Sequence, residues 1–470
     1  MSVRRWTPTS WETRPNRQPV HYEDQAALSE ALADLARLPP LVTSWEIERL
    51  RSLIADAQQG RRFLVQGGDC AEVFDDCRAS VITNKLQILL QLALLLVHGC
   101  RRPVVCVARL AGQYAKPRSR PTEIRGGVEL PAYFGDLVNG IEFTPAARRP
   151  DPRRLTAAYQ HAAMTMNFVR SLSAGGFADV RHPEYWEPDY FKNASLPPRV
   201  REDYLRLTRE VADALRFMEA FSERDLDEAT RVDFYASHEC LHLDYEAAHT
   251  KEVAAHYGVY DLSTHFPWIG ERTRQLDGAH VEFCRGIRNP VGVKLGPLVQ
   301  PLEAVQLVRR LNPENEPGKI ALITRLGVDR VEAVLPPLVE AVRGAHLSVL
   351  WMTDPMHGNT QITPSGRKTR WFEDIAGEIE RSFGVHRAHG THLGGVHLEL
   401  TGEAVTECIG GAAAIEIDDI GSKYTTVCDP RLNRLQALEL GLRIARNMRD
   451  SAESHHVEPA LTDGVESSRC

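Results

Sequence analysis

The feature that most limits the fold is a regular alternation of short β-branched runs with amphipathic helical segments. Such an alternation predicts a parallel sheet covered by helices. Eight runs have strand character: residues 63–66, 104–108, 233–236, 259–263, 291–295, 320–324, 349–353 and 396–400. Helical patterns separate or follow them, as at 80–97, 303–311, 331–343, 372–389 and 435–448. Eight strand–helix units predict a (β/α)8 barrel of the TIM type.

A doubly wound open sheet is the alternative architecture. It would carry a glycine-rich dinucleotide fingerprint after an early strand, and the chain has none. We therefore favour the barrel.

The rest of the 470 residues is predicted to be additions to this one barrel. Residues 1–58 form an N-terminal extension with helical patterns at 24–38 and 44–58, and residues 59–450 form the barrel domain. A long connection, 151–230, follows the second strand and holds two helical patterns, 155–172 and 200–220, around an aromatic, proline-rich segment at 182–198. Residues 451–470 are polar and aperiodic, which predicts a mobile tail.

Composition excludes several classes of partner. Lysine and arginine number 56 against 63 acidic residues, and no basic block is present, so a non-specific binder of nucleic acid or anionic lipid is not expected. The apolar stretch 86–97 is shorter than the roughly 20 residues of a bilayer span, which predicts a buried helix. The first residues lack the apolar core of a signal peptide, and the nine cysteines form no CxxC pair, so we expect a cytoplasmic protein.

Polar residues cluster just after the predicted strands, and in a barrel these positions converge on the C-terminal rim, where barrel enzymes hold their catalytic groups. Six of them are cationic: Arg109, Lys116, Arg118, Arg272, Lys294 and Arg325. Arginine binds carboxylate or phosphate through two parallel hydrogen bonds, and lysine supplies a compact charge. Six cations in a net-acidic chain predict two phosphorylated substrates, one of them also a carboxylate. Surface salt bridges are the alternative interpretation of each cation alone.

Four other residues near these strand ends are of metal-binding type: Cys70, His357, Glu399 and Asp429. One thiolate, one imidazole and two carboxylates favour Mn, Co, Fe or Zn over Mg or Ca. Their wide spacing is unlike a structural zinc site and leaves room for an open coordination position. Taken singly, Cys70 is better explained as a small buried hydrophobe and His357 as a hydrogen-bonded turn residue.

The pentapeptide HECLH at 238–242 matches the HExxH motif of zinc peptidases. That motif requires both histidines on one face of a helix. Here it follows the strand-like sequence FYAS, so we expect it to straddle a strand and a loop, with Glu239 serving as a rim carboxylate.

Seven motifs together are similar to a known family: GGDCAE, GQYAKPRS, WIGER, NPVGVKLGP, DPMHGNT, TGEAVTEC and CDPRLN. In order and spacing, over about residues 20 to 450, they resemble the class II, plant-type 3-deoxy-D-arabino-heptulosonate 7-phosphate (DAHP) synthases. The resemblance implies a transferase that opens the shikimate pathway. Phosphoenolpyruvate and erythrose 4-phosphate would condense, water would add, and inorganic phosphate would leave.

The resemblance also assigns roles to residues. It implies Cys70, His357, Glu399 and Asp429 as ligands of a divalent metal, Mn²⁺ or Co²⁺ first and Fe²⁺ or Zn²⁺ as alternatives. It implies phosphoenolpyruvate contacts at Arg109, Glu271, Arg272, Lys294 and Arg325, and erythrose 4-phosphate contacts at Lys116, Arg118 and Ser119. Cys70, Lys116 and His357 would be catalytic, with the metal acting as a Lewis acid on the aldehyde. A homodimer or homotetramer is expected, and chorismate mutase is a candidate partner.

Several alternatives stay open at this point. A sister enzyme of aminoshikimate antibiotic pathways would take an imino-erythrose phosphate instead, and a non-catalytic barrel could act only as a regulatory partner. The segment 180–198 is closer to relatives from secondary metabolism, which puts feedback control by aromatic amino acids in doubt. We also expect that Cys428, next to Asp429, can pair oxidatively with Cys70 and disarm the site.

Overall fold

The computed structural model describes residues 6–100, 102–175, 177, 202, 233–256 and 258–453. The α-helices are α1 (Gln25–Arg37), α2 (Ser44–Gln58), α3 (Ala79–Cys100), α4 (Pro145–Arg148), α5 (Arg153–Ala174), α6 (Leu243–His249), α7 (Ala279–Cys284), α8 (Pro301–Leu311), α9 (Val331–Gly344), α10 (Phe372–Ala388) and α11 (Arg434–Glu453). Short 3-10 helices lie at Ser10–Thr13, Phe74–Asp76, Ala254–His256, His357–Asn359 and Ile417–Asp419.

Eight parallel strands close into one barrel: β1 (Phe63–Gly68), β2 (Val104–Arg109), β5 (Phe234–Glu239), β8 (Phe266–Ile269), β9 (Val291–Leu295), β10 (Ile320–Thr324), β11 (Leu350–Thr353) and β14 (Leu393–Glu399). Their order around the barrel follows the chain, and β14 closes it by pairing with β1 in the register Leu64↔Gly395. The predicted (β/α)8 barrel is confirmed.

Within the described residues, six further strands form three two-stranded sheets outside the barrel: β3 (Thr122–Arg125) with β4 (Val128–Pro131), β6 (Thr250–Val253) with β7 (Gly258–Asp261), and β12 (Gln361–Ile362) with β13 (Lys368–Thr369). The first of these hairpins contributes to the wall of the large cavity described below.

The prediction for the fourth barrel strand is wrong. The β-branched run at 259–263 overlaps β7, which pairs antiparallel with β6 in an outer hairpin. The fourth barrel strand is β8, which pairs with β5 in the register Ser237↔Phe266. Its four residues include Pro267, whose backbone has no N–H to donate, so the segment lacks the features of a strand in the sequence.

Helix α2, the last helix of the N-terminal extension before β1, covers the N-terminal end of the barrel. Its side chains Leu50 and Ile54 are fully buried in one cluster with Leu64 and Leu350 of the strands. At its start, Thr43 accepts a hydrogen bond from Glu46 N while the Glu46 side chain accepts from Thr43 N, a capping box. Because this end is closed, the opposite, C-terminal end remains available for a site.

Helix α3 is longer than the apolar stretch that predicted it. The segment Ala79–Val97 is long and apolar enough to cross a membrane by length and composition alone. However, 67% of its most apolar stretch is buried inside the protein. The helix packs against α11 and the neighbouring strands β1 and β2. This agrees with the predicted buried helix.

The long connection after β2 is described only in part. Helix α5 confirms the first of its two helical patterns. The second pattern at 200–220 and the aromatic segment 182–198 lie outside the described residues, apart from residue 202. Helix α11 ends at Glu453, and residues 454–470 of the predicted tail also lie outside them. The domain boundaries at 58 and 450 stay predictions.

Candidate active site

A cavity of about 620 Å³ opens among the loops at the C-terminal ends of the barrel strands. Its volume lies in the range of small-molecule sites. It is lined by eleven of the twelve residues that the sequence predicted: Cys70, Arg109, Lys116, Arg118, Ser119, Glu271, Arg272, Lys294, Arg325, His357 and Asp429. The twelfth, Glu399, is fully buried at the end of β14 and contacts His357. Residues from distant parts of the chain therefore meet at one place.

The four predicted metal ligands form a compact cluster. One donor atom from each of Cys70, His357, Glu399 and Asp429 lies within 4.8 Å of all the others. The Nε2 atom of His357 lies 3.2 Å from Glu399 Oε1 and 4.0 Å from Asp429 Oδ2. Their convergence and mixed chemistry fit a divalent transition metal.

Cys70 also forms a disulfide with Cys428, with the two Cα atoms 6.3 Å apart. The sequence predicted this pairing. A disulfide sulfur is not a thiolate, and only the thiolate is an effective ligand. In this oxidised form the cluster offers one imidazole and two carboxylates, whereas reduction restores the fourth donor.

Asp354 orients His357, one of the predicted metal ligands, a role that the sequence did not suggest. Its Oδ2 atom accepts a hydrogen bond from His357 Nδ1 at 2.7 Å, which leaves Nε2 directed at the cluster. Its Oδ1 atom accepts from the backbone N–H groups of Met356 and His357 at 3.0 and 3.2 Å. Burial alone would raise the pKa of Asp354, but His357 and Lys294 hold it well below its usual range.

Arg370 supports the buried carboxylate of Glu399 and was likewise missed. Its guanidinium donates to Glu399 Oε2 at 2.8 Å, and both side chains are fully buried. Burial disfavours the charged carboxylate, but His357 and Arg370 hold the pKa of Glu399 well below its usual range. The carboxylate therefore stays ionised, which a carboxylate needs to be in order to bind a metal.

Arg109 is held rigidly at the base of the cavity. Its Nε donates to Asp69 O at 2.8 Å, and one Nη donates to Glu399 at 3.2 Å. The other Nη bonds to His397 Nε2, and the His397 Nδ1 atom lies 2.7 Å from Gln66 Oε1. Because Arg109 can only donate, His397 is neutral with its proton on Nδ1. Burial, together with nearby cations, keeps the pKa of His397 well below its usual range.

Two lysines of the cavity have depressed pKa values. Burial lowers the pKa of Lys294 to about 8 although it is paired with Asp354. Burial also lowers the pKa of Lys116 to about 8, against the opposing effect of Asp429. Glu239, which also lines the cavity, has its pKa raised by burial against several nearby cations. Lysines with pKa values of about 8 can exchange protons near neutral pH.

The remaining predicted residues lie on the rim. Arg272 donates to Ser119 Oγ at 3.0 Å, and Arg118 donates to Glu123 at 2.5 Å. One Nη of Arg325 donates to the backbone carbonyl of His357 at 3.1 Å, while its buried Nε has no hydrogen-bond partner within the described parts of the chain.

The carboxylate of Glu271 is occupied within the protein. It accepts two hydrogen bonds from Arg274, both at 3.0 Å, and one from the backbone N–H of Gly296 at 2.6 Å. Its side chain therefore ties two rim loops together.

The HECLH sequence is confirmed to straddle a strand and a loop. His238 and Glu239 end strand β5, and His242 is the N-cap of α6. The His238 ring bonds to Glu246 at 2.9 Å, and the His242 ring bonds to Tyr22 at 2.8 Å. The two histidines do not form the shared helical face that a zinc peptidase needs.

A closed parallel barrel with a strongly cationic cavity at the carboxyl ends of its strands defines a TIM-barrel enzyme. The model of the class II DAHP synthetase family matches residues 6–445. A phospho-2-dehydro-3-deoxyheptonate aldolase of Streptomyces coelicolor is 49% identical over 441 residues, covering 94% of this chain and 97% of that protein. A protein of the same name from Neurospora crassa is 43% identical over 470 residues, with 96% of each chain covered.

A third relative, from Mycolicibacterium smegmatis, is named phospho-2-dehydro-3-deoxyheptonate aldolase AroG. It is 46% identical over 421 residues, which cover 88% of this chain and 89% of that protein. The chain belongs to the class II DAHP synthetase family.

Proposed function

We propose that this enzyme is a DAHP synthase that joins phosphoenolpyruvate to erythrose 4-phosphate. The observation that carries the proposal is the convergence of the six predicted cations on one cavity, with three of the four metal-type residues lining it and Glu399 in contact with His357. Two phosphates and a carboxylate need several positive charges, and an aldehyde needs an electrophilic activator. The family and the names of the relatives support this reaction over the amino analogue.

The proposed condensation uses both substrates and one water molecule and releases inorganic phosphate. C3 of phosphoenolpyruvate attacks the aldehyde carbon, water adds at C2, and the phosphate on C2 leaves. We assign Lys294, Arg109 and Arg325 to phosphoenolpyruvate, with Arg272 and Glu271 on the rim beside it. Lys116, Arg118 and Ser119 are assigned to erythrose 4-phosphate. These cations hold both substrates in reacting contact and stabilise the charge that moves between them.

Two residues are suited to the proton transfers. Lys116, with its pKa near 8, is the group we assign to protonate the former aldehyde oxygen. Glu239, with its raised pKa, is the group we assign to take a proton from the attacking water. Both side chains line the cavity that would hold the two substrates.

Cys70, His357, Glu399 and Asp429 would hold the divalent metal that the family implies. When bound, the ion supplies Lewis acidity to the aldehyde. We propose Mn²⁺ or Co²⁺, with Fe²⁺ or Zn²⁺ as alternatives, because the set mixes a soft thiolate with hard carboxylates. We further propose that only the reduced protein binds the ion, since the disulfide consumes the Cys70 thiolate.

Phosphate release tests the proposed reaction. Reduced protein is mixed with phosphoenolpyruvate, with or without erythrose 4-phosphate, and with Mn²⁺ or a chelator. We expect release only when both substrates and the metal are present. Cys70→Ser should abolish it, whereas Cys77→Ser, at a free cysteine outside the cluster, should leave it intact. Release without the aldehyde, or after complete metal removal, would contradict the proposal, and turnover of the imino-sugar phosphate alone would favour the sister enzyme.

We also propose a cytoplasmic homo-oligomer, either a dimer or a tetramer. Large apolar side chains on the described surface, such as Leu298 and Leu302 at 75% and 65% exposure, would be covered in such an assembly. Sedimentation of the purified chain tests this. Chorismate mutase stays a candidate partner, and co-sedimentation with that enzyme is the corresponding test.

A further inference from the structure

The N-terminal segment 6–22 is attached to the barrel at two distant points. The indole N–H of Trp6 donates to the backbone carbonyl of Glu282 in α7 at 2.9 Å. At the other end, the buried Tyr22 hydroxyl bonds to His242 Nε2 at 2.8 Å. The residues between these anchors are therefore held against the barrel on the side of the cavity.

Gln18 lies between the anchors and binds the backbone of a cavity residue. Its Oε1 accepts from the N–H of Arg118 at 2.8 Å, and its Nε2 donates to the C=O of Arg118 at 3.1 Å. The backbone N–H of Gln18 donates to Asn16 Oδ1 at 2.9 Å, which fixes the local turn. One side chain amide thus satisfies both backbone groups of Arg118, as a neighbouring strand would.

The loop held in this way carries the groups that we assign to erythrose 4-phosphate. The loop has three other ties within the described residues: the N–H of Lys116 donates to Phe134 O at 2.8 Å, the Arg118 guanidinium donates to Glu123 at 2.5 Å, and Ser119 Oγ accepts from Arg272 at 3.0 Å. Pro117 has no N–H to donate, so the amide of Gln18 supplies the hydrogen bonds at the centre of the loop. The Gln18 amide therefore fixes the backbone of Arg118 between Lys116 and Ser119.

We propose that Gln18 is a positioning residue that sets the affinity for the second, phosphorylated aldehyde substrate. This inference rests on the proposed function, because it uses the assignment of Lys116, Arg118 and Ser119. It gives the N-terminal extension a role in the specificity of the barrel. Gln18 acts through Arg118, and it does not touch the groups assigned to phosphoenolpyruvate in any contact of the described residues.

Steady-state kinetics of reduced, metal-loaded enzyme test the proposal. Gln18→Met keeps the length of the side chain and removes both hydrogen bonds. We expect the KM for erythrose 4-phosphate to rise about 10-fold, with the KM for phosphoenolpyruvate and kcat within about twofold of wild type, because two neutral hydrogen bonds are lost. Gln25→Met is the matched control, since Gln25 lies in the same extension and its side chain donates, within the described residues, to Tyr22 O at 2.7 Å and not to the Arg118 loop. It should leave both KM values unchanged.

The outcomes separate this inference from the proposed function. Wild-type enzyme that fails to condense the two substrates overturns the proposed function and this inference with it. Active wild-type enzyme with an unchanged KM for the aldehyde in Gln18→Met overturns the inference alone. Equal rises in both KM values, or the same rise in Gln25→Met, would show a general structural effect and would also overturn it.

Discussion

Replacing Asp354 by Asn should weaken metal binding although Asp354 is not a predicted ligand. In the wild type, Asp354 Oδ1 accepts hydrogen bonds from the backbone N–H groups of Met356 and His357. The Asn side-chain oxygen can still accept these two bonds. The Asn amino group replaces Oδ2 and therefore faces His357 Nδ1 and Lys294. A donor at that position forces Nδ1 to accept, so the ring proton moves to Nε2, the atom directed at the cluster.

The size of the effect follows from two losses. Removing the partner that orients a metal-binding histidine costs about 10- to 100-fold in metal affinity, or roughly 1.4 to 2.7 kcal/mol. The substitution also leaves the buried Lys294 without its counterion, which costs about 3–5 kcal/mol of stability if the lysine stays charged. Because the pKa of Lys294 is already about 8, its deprotonation limits this second loss.

Calorimetric titration of the reduced, metal-free protein with Mn²⁺ measures the first loss directly, and urea unfolding measures the second. Asp374→Asn is the matched control, because Asp374 lies on α10 outside the cavity and accepts from the Gln361 side chain. It should bind Mn²⁺ like wild type. A wild-type dissociation constant in Asp354→Asn would refute the argument that Asp354 sets the tautomer of His357.

Three further predictions concern redox state, pH and folding. Cys428→Ser removes the disulfide partner of Cys70, so its Mn²⁺ binding should survive a peroxide treatment that abolishes Mn²⁺ binding in the wild type. Thiol titration and metal analysis of the same samples check this. Equal loss of Mn²⁺ in both proteins would contradict it. With saturating erythrose 4-phosphate, kcat/KM for phosphoenolpyruvate should fall as the pH rises above about 8, because Lys294 then loses the positive charge that binds the phosphate. A kcat/KM that stays constant up to about pH 10 would contradict this. Lys85→Met removes one of two counterions of the buried Asp69, since Lys85 lies 2.5 Å and Arg431 2.6 Å from its carboxylate. The loss of this charged hydrogen bond should lower the free energy of unfolding in urea by about 1.5–3 kcal/mol. The exposed Lys423→Met should change that free energy by no more than about 0.5 kcal/mol, and an equal loss in both would contradict the argument.

The barrel could be predicted because its strands and helices leave strong periodic signals in the chain. The exception is β8, whose four residues include a proline and do not have the sequence pattern of a strand. The more strand-like run at 259–263 instead overlaps β7 in the hairpin of β6 and β7. Tertiary pairing decided both cases. Pairing between β5 and β8 buries Phe266 inside the barrel, and the local sequence pattern does not indicate this pairing.

The cavity could be predicted because residues after parallel strands share one end of a barrel. The residues that support the site, such as Arg370 and His397, could not be predicted from local sequence, since their roles depend on contacts between distant positions. Arg109 and His397 are 288 residues apart, and Arg370 follows a short outer hairpin that gives no sign of its contact with Glu399. Asp354 is different, because it stands three residues before His357 and the spacing could have suggested an orienting carboxylate.

The central claim is that this cavity forms a carbon–carbon bond between its two substrates. Phosphoenolpyruvate labelled with ¹³C at C3 and erythrose 4-phosphate labelled with ¹³C at C1 test it directly when incubated with reduced, Mn²⁺-loaded enzyme. We predict a product whose NMR spectrum shows a one-bond coupling between the two labels, appearing in step with inorganic phosphate. Phosphate release that leaves the labels uncoupled, with labelled pyruvate as the product, would contradict the account.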